Sequence, residues 1–292
     1  MDPCIRCQNK IPLDWTHCPH CGDGLQCPNV RLAEQATERT ALDQRYQAAI
    51  ADAATRGCDA IVRDFERAAE NSHAVMGSTL QKLMPVVTRD RDVFATFHQL
   101  AELRFLREAS PGGPDWNKLR PHAEIELLGS DKHIDQLHYA ALSLDGRSLP
   151  HYGPVTIQLR ENLIAHRASV FPENSADYVY RHGVNFPPGS RGTWAERGKL
   201  CVAKLAGQIT DSTRPDQFST ILLQPGATGL DDTFVEAHLF GPMTFATFQN
   251  VTVTQTGARP SSAKRPRRRR GTTDELALQD YCKIYKTGCE LL

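Results

Sequence analysis

The sequence predicts an α+β protein with a small cysteine-rich unit at its N-terminus, and three observations support this fold class. Two Cys-x-x-Cys pairs occupy the first 21 residues, a helical apolar repeat follows, and strand-like alternation begins near residue 137. Helical and extended patterns in separate parts of a chain are typical of α+β proteins. We therefore predict an N-terminal ribbon, a long helical section and a β-rich domain with a mixed or antiparallel sheet.

The size and composition of the chain are those of an ordinary globular protein. It has 292 residues, of which 40% are hydrophobic and 23% charged, enough for about two domains plus the ribbon. The 34 basic and 34 acidic residues cancel, which argues against binding of a polyanion over the whole surface. No apolar stretch reaches the ~20 residues of a membrane span, and the start lacks a signal-peptide pattern. We expect a cytoplasmic protein with no membrane contact.

The N-terminal unit carries two close cysteine pairs, Cys4 with Cys7 and Cys18 with Cys21, with ten residues between them. Four thiolates in two such pairs suit a tetrahedral Zn²⁺ ion. A unit of about 20 residues buries too little apolar surface to fold alone, so metal binding would supply the folding energy. Disulfides are the alternative, but nine cysteines are an odd number without a framework spacing. We predict a structural zinc ribbon over residues 1–29.

The section from residue 30 to residue 130 is predicted to be helical. Leu42, Tyr46 and later apolar residues recur near a helical spacing, and Gly57 is the expected break between two helices of a hairpin or coiled coil. A short helix carrying Trp116 follows. Long helices of this kind can join two copies of a chain, so we consider a homodimer.

The segment from residue 131 to residue 257 is predicted to be an α+β domain that holds any catalytic site. Alternating apolar and polar residues are the basis of the predicted strands, because side chains of a strand point to opposite faces in turn. The predicted strands lie near residues 137–141, 155–159, 164–170, 218–223, 234–240 and 251–254, with a helix at 198–209.

The last section, residues 258–292, is predicted to be a basic linker and a short helix. The linker places six positive charges within seven residues: Lys264, Arg265, Arg267, Arg268, Arg269 and Arg270. Such a run is typical of a solvated linker, a nuclear-localisation-like signal or an arm that contacts nucleic-acid phosphates. All three interpretations remain open at this point.

Glu236 and His238 stand two residues apart in a predicted strand, so their side chains project from the same face. A carboxylate that points from a strand into a cleft can bond a sugar hydroxyl or stabilise a developing oxocarbenium cation. The alternative interpretation is that both side chains face water on a half-exposed strand.

The sequence around Glu236 resembles the closing strands of ADP-ribosyltransferase-fold toxins. Residues 235–242 read Val-Glu-Ala-His-Leu-Phe-Gly-Pro and precede another β-rich stretch, where that fold carries its last catalytic glutamate. The segment from Tyr152 to Ser175 is similar to the NAD-facing strands of some bacterial polymorphic toxins. The resemblance covers about residues 137–255; that span lacks a clear Ser-Thr-Ser element and a Glu-x-Glu pair, and the one Glu-x-Glu of the chain precedes it.

This resemblance implies that the protein transfers ADP-ribose from NAD⁺ to a macromolecule, or hydrolyses NAD⁺, as a toxin or defence effector. Glu236 would stabilise the cationic ribose as nicotinamide leaves. The residues implied to contact NAD⁺ are His138 or Tyr139 at the ribose or nicotinamide, Arg160 or Arg167 at the pyrophosphate, and Asn174 and Ser175 through hydrogen bonds. Each also has a structural interpretation; Asn174 and Ser175, for example, can cap a helix that begins at Ala176.

A second class of function is a non-enzymatic protein that binds nucleic acid or a protein partner. The zinc ribbon and the basic run would then supply the contacts, and the long helices would join two copies. The two classes differ in an observable way, since one predicts turnover of NAD⁺ and the other predicts nucleic-acid binding that weakens steeply with salt.

Overall fold

The computed structural model describes residues 2–4, 6–12, 15–87, 93–102, 114–228, 230–254, 278 and 288–291. The helices of this part of the chain are α1 (Pro28–Ala33), α2 (Ala36–Thr55), α3 (Asp59–Glu70), α4 (Leu80–Val87), α5 (Phe97–Glu102), α6 (Trp116–Leu128), α7 (Glu161–Ile164), α8 (Ser175–His182), α9 (Arg197–Leu205) and α10 (Phe218–Leu222). The strands are β1 (Asp2–Pro3), β2 (Lys10–Ile11), β3 (His73–Ser78), β4 (Leu137–Ser143), β5 (Val155–Leu159), β6 (Ala168–Phe171), β7 (Gly192–Thr193), β8 (Leu223–Gln224), β9 (Thr233–Phe234), β10 (Glu236–Phe240), β11 (Phe248–Val253) and β12 (Gly288–Leu291).

Eight of these strands form one sheet in the order β12-β11-β5-β3-β4-β10-β6-β7. Neighbouring strands are antiparallel except β11 and β12, which run parallel. Strand β10 lies between β4 and β6, and His238 is opposite Tyr139 on one side and Ser169 on the other. The predicted mixture of helices with a largely antiparallel sheet is therefore confirmed.

Helices cover both faces of this sheet. The face that carries Ala237 and Leu239 packs against α2, α3 and α9 in the larger hydrophobic core. The opposite face, with Phe171 and Phe240, packs against α6 and α8 in a smaller core. Burial of one large apolar side chain contributes about 1.5–3 kcal/mol, so these two cores hold the sheet between its helices.

The two long helices α2 and α3 are separated at Gly57, where the sequence predicts a break. Gly57 has a φ of +73°, a left-handed conformation that glycine adopts without steric cost. Leu42 of α2 and Phe65 of α3 are both buried in the larger core of the same chain. The apolar sides of both helices therefore face the core of their own chain. The homodimer through these helices stays a prediction.

Strand β3 lies within the section for which the sequence predicts helices, and it occupies the middle of the sheet between β4 and β5. Ala74, Val75 and Met76 are all buried. Both faces of this strand are covered, so its apolar residues form a continuous run without the polar alternation that identifies a half-exposed strand.

The sequence predicts a strand at 218–223, but residues 218–222 form helix α10, so this prediction is wrong. Phe218 and Leu222 are four residues apart and both buried, which is the spacing of one helix face. The sequence also predicts that Ile164 begins the third strand, but this residue lies in α7. In both places the apolar spacing of a single helical turn is too short to be distinguished from a strand.

Of the last section of the chain, residues 258–292, the structure describes Leu278 and residues 288–291. The basic residues from 264 to 270 lie outside the described residues, as does the predicted helix at 274–285 apart from Leu278, which is helical and buried. Strand β12 follows and pairs with β11 from Asn250 to Val253.

Candidate metal site and candidate active site

The four cysteines of the N-terminal unit converge in space. Their sulfur atoms all lie within 4.8 Å of one another, and they are Cys4, Cys7, Cys18 and Cys21. The Cys4 and Cys21 sulfurs are 3.7 Å apart, and those of Cys7 and Cys18 are 3.5 Å apart. These distances exclude disulfides, in which the sulfurs are about 2 Å apart. They match the edge of about 3.8 Å that follows from a tetrahedron of sulfurs around a zinc ion.

The surroundings of these sulfurs also suit a cation. The backbone hydrogen bond from Asn9, aided by its side-chain amide, lowers the pKa of the Cys7 thiol to about 6. The backbone hydrogen bond from Asp23 favours a Cys21 thiolate as well, but desolvation and the neighbouring sulfurs raise the pKa of Cys21 to about 12. A bound cation would favour the thiolate form of these sulfurs, because it shares their negative charge. These residues can hold a metal ion such as zinc.

A second polar cluster borders a cavity of about 150 Å³ on the face of the sheet that carries Glu236. Strands β3 and β4 form its floor, and segments 94–100 and 148–152 form its walls. The cavity depends on a close approach between β3 and the second wall, because a Cβ on Gly77 would lie 2.6 Å from the Cβ of Tyr152. Only glycine at this position leaves room for that wall.

Glu236 and His238 project together, as their spacing predicts, but neither faces water. Their exposed fractions are 3% and 0%, and His238 Nε2 lies 2.8 Å from Glu236 Oε2. The same carboxylate oxygen accepts a hydrogen bond from the Ser175 backbone N–H at the start of α8. The other oxygen, Oε1, accepts none from the described part of the chain, and Glu236 lines the cavity.

The buried carboxyl of Glu236 is held in its charged form. Burial alone would raise its pKa, but the hydrogen bond and charge of His238, the charge of Arg120 and the Ser175 amide together lower the pKa below the ordinary value. A helix N-terminus also favours a negative charge at this place. The cavity therefore has an ionised carboxylate in its wall at neutral pH.

Arg120 of α6 brings a positive charge to the same cavity. Its guanidinium carbon lies 4.3 Å from the ring centroid of Tyr139 and 4.9 Å from that of Phe97. Stacking on two aromatic faces fixes the plane of the guanidinium and keeps its charge. The cavity lining thus includes a cation and an anion on different elements, Arg120 of α6 and Glu236 of β10, and Lys82 of α4 is a second cation in the lining.

Tyr139 is oriented by a buried acid. Its hydroxyl donates to Glu124 Oε1 at 2.6 Å, and His98 Nε2 contacts the other oxygen of that carboxylate. Glu124 is fully buried. The hydrogen bond to Glu124 raises the pKa of His98, although desolvation acts against it. This chain of three residues ties segment 93–102 to α6 and to the sheet.

The structure brings some of the sequence-predicted site residues together and places others apart. Glu236, Tyr139 and His138 line the cavity. Burial, with the nearby charge of Arg167, lowers the pKa of His138 to about 3, so this side chain is neutral. Ser175 lies behind Glu236, because its backbone N–H holds that carboxylate.

Asn174 and Arg167, which are also predicted site residues, form hydrogen bonds with backbone groups. Asn174 caps α8 by accepting from the backbone N–H groups of Ala176 and Asp177, and its amide lies 3.3 Å from the Tyr152 hydroxyl. Arg167 donates to the carbonyls of Phe240, Pro242 and Leu163, and it does not line the cavity.

Arg160 also lies outside the cavity lining, and its side chain donates to the carbonyl of Ala246. The arginine that the cavity does contain, Arg120, was not predicted. Arg120 and Glu124 are four residues apart, so a helix over residues 116–128 places both on one side. The spacing of Arg120 and Glu124 predicts that both lie on one side of a helix. It does not predict that this helix packs beside β10.

Comparisons with protein-family models and with curated proteins find no match for this chain. Within the described residues, no helix is both long enough and apolar enough to cross a membrane.

Proposed function

We propose that the cavity binds the nicotinamide end of NAD⁺ and that the protein is an ADP-ribosyltransferase or an NAD⁺ glycohydrolase. The observation that carries this proposal is Glu236: a buried, ionised carboxylate in a cavity wall, with one oxygen left without a hydrogen bond by the described residues. A charge held in this way is suited to a cationic reacting group.

The proposed reaction breaks the bond between the ribose anomeric carbon and the nicotinamide nitrogen. Nicotinamide leaves with the electron pair as a neutral molecule, and the ribose ring acquires positive charge. Glu236 stabilises that charge, because the buried carboxylate is already oriented and needs little reorganisation. An acceptor oxygen or nitrogen then bonds to the anomeric carbon and releases its proton. A macromolecular acceptor gives transfer, and water gives hydrolysis.

The size of the cavity favours one end of the dinucleotide. A cavity of about 150 Å³ is the size that accommodates a single six-membered ring. The nicotinamide ring would enter, next to Tyr139. The rest of NAD⁺ would leave past Tyr152, which is 39% exposed at the cavity wall. Arg120 would take the role of binding the pyrophosphate, which the resemblance to the toxins assigns to Arg160 or Arg167.

We propose further that the metal at the four cysteines is zinc and that its role is structural. Four sulfur ligands fill the tetrahedral coordination that zinc prefers, which leaves no position for a reacting water. The catalytic residues of the proposal all lie outside this unit. The zinc would therefore stabilise the fold without entering the reaction.

The experiment that tests the enzymatic proposal measures release of nicotinamide from labelled NAD⁺ by the purified protein, alone and in lysate that supplies acceptors. We expect Glu236→Gln to reduce the rate by about 10²–10³-fold, since the variant keeps the shape but loses the charge. Glu102→Gln is the matched control, because Glu102 is exposed. No release by the unmutated protein under either condition would refute the proposal.

A further inference from the structure

The short helix α1 lies between the metal ribbon and the strand that carries Glu236. All six of its residues are buried. It contacts β6 and β10 of the sheet as well as helix α6. This buried helix begins seven residues after Cys21 and contacts both the ribbon and the sheet. A structural change in the ribbon can therefore reach the sheet through α1.

Arg31 makes the contact of α1 with the ribbon. It is 7% exposed, and its guanidinium donates to the backbone carbonyls of Pro12 and Trp15, at 3.3 Å and 3.2 Å. Both carbonyls belong to the loop that joins the two cysteine pairs and that follows the buried Ile11. The position of these acceptors depends on the ribbon, which a unit of this size forms only with its metal bound.

Asn29 makes the contact of α1 with the sheet. It is 1% exposed, and its side-chain amide lies 3.0 Å from the His238 carbonyl, 3.0 Å from Ser169 Oγ and 3.2 Å from the Arg167 carbonyl. The two amide hydrogens are shared among these acceptors. His238 and Ser169 are paired across β10 and β6, so one side chain fixes both strands at the same level.

We propose that Asn29 is a positioning residue through which the metal-bound ribbon sets the orientation of His238, and with it the orientation of Glu236. The amide of Asn29 restrains the backbone of His238, whose ring in turn donates to Glu236. Arg31, two residues further along α1, holds the helix to the ribbon. The consequence for catalysis rests on the proposed function, whereas the coupling between the two sites does not.

This coupling has a geometric basis. His238 is fully buried and is restrained at its carbonyl by Asn29 and at Nε2 by Glu236. Loss of the Asn29 amide removes one restraint on the backbone at His238, while the pairing of β10 with β4 and β6 remains. A displacement of about 1 Å at a reacting group is enough to reduce a rate by about 10²-fold.

The test uses the full chain, loaded with zinc and labelled with ¹⁵N, and follows the ring signals of His238 by NMR. These signals are assigned by their loss in His238→Gln. We expect Asn29→Ala and removal of the metal with a chelator to shift the His238 signals in the same direction. Asn71→Ala is the matched control, because it removes an asparagine that donates to a backbone carbonyl, that of Arg67, at an exposed position.

A second readout separates positioning from a general loss of structure. If the proposed function holds, Asn29→Ala should lower kcat for nicotinamide release by about 10–100-fold with little change in KM, because the substrate still enters the same cavity. Should Asn29→Ala not fold, Arg31→Gln replaces it, since this variant weakens the contact with the ribbon and leaves the sheet intact.

Unchanged His238 signals both after chelation and in the folded α1 variant would overturn the coupling. Shifted signals in a protein that never releases nicotinamide would support the coupling and contradict the proposed function. Release of nicotinamide with unchanged His238 signals would support the proposed function and contradict the coupling. The two proposals therefore fail independently.

Discussion

The two polar clusters of this protein differ in how they are built. The metal site takes its four ligands from residues 4 to 21, and each pair of cysteines is separated by two residues. The cavity takes Arg120, Tyr139 and Glu236 from α6, β4 and β10. The first is formed by local chain geometry and one metal ion, and the second by the packing of the whole sheet. A site of the first kind should fail through loss of any one ligand, whereas in a site of the second kind the size of the effect should depend on which residue is replaced.

Replacement of one metal ligand should have the largest effect. In Cys18→Ser we expect the ribbon to lose its metal, because a serine hydroxyl is a poor substitute for a thiolate, and to unfold locally, since structural zinc supplies about 10–16 kcal/mol in small ribbons. Metal content per chain and proteolysis near residues 12–15 measure the two losses. The control is Cys27→Ser, because Cys27 follows the fourth ligand, Cys21, in the chain and lies outside the cluster. Retention of one metal equivalent by Cys18→Ser would contradict the assignment of the site.

Removal of the Arg120 charge from the cavity should have a smaller effect. In Arg120→Met we expect KM for NAD⁺ to rise about 10-fold, which corresponds to about 1.4 kcal/mol of binding, because the side-chain volume is kept while the charge is lost. Steady-state kinetics of nicotinamide release measure this change. Lys118→Met is the control, since Lys118 lies on the same helix with an exposed side chain. An equal rise of KM in both variants would mean that the effect comes from net charge and that Arg120 has no specific role.

The smallest predicted effect concerns pH. Because burial lowers the pKa of His138 to about 3, the folded protein keeps this ring neutral while the unfolded chain takes up a proton below about pH 6.5. The contribution of His138 to the free energy of unfolding is therefore highest above that pH, and it decreases as the pH falls. Between about pH 7 and about pH 5.5 the loss is about 1 kcal/mol.

Urea unfolding of the wild type and of His138→Leu at both pH values isolates this contribution. The variant should lose less stability than the wild type on acidification. His98, whose raised pKa acts with the opposite sign, is common to both proteins and cancels in the comparison. The exposed His122 provides the control variant His122→Leu. Identical acid sensitivity of wild type and His138→Leu would show that His138 does not titrate as its burial requires.

The contrast between the two clusters also explains what the sequence reveals. The convergence of four cysteines can be predicted from spacing alone, and so can the break at Gly57 and most strands of the β-rich domain. Glu236 and His238 project together as predicted, because the period of a strand decides it. Their burial could not be predicted, because it depends on α8 and α6, which are distant in sequence from β10.

The arginines show most clearly which features of the site the sequence alone does not predict. Arg160 and Arg167 lie in the segment that resembles the toxins, yet their guanidinium groups bond to backbone carbonyls. Arg120 lies outside that segment and reaches the cavity from α6. A sequence pattern shows which residues are charged, but only the packing of elements shows which charge faces a cavity and which supports a loop. The same holds for β3, whose apolar run does not reveal its central place in the sheet.

The buried helix α1 has a consequence for how this protein can be divided. A module that moves between proteins by recombination must keep its essential contacts inside its own borders. A cut after residue 29 would leave Asn29 with the cysteines and remove it from the His238 carbonyl, and it would separate Arg31 from its acceptors in the ribbon. Transplantation of the N-terminal unit would therefore have to extend through α1, and the remaining protein would need a substitute for Asn29.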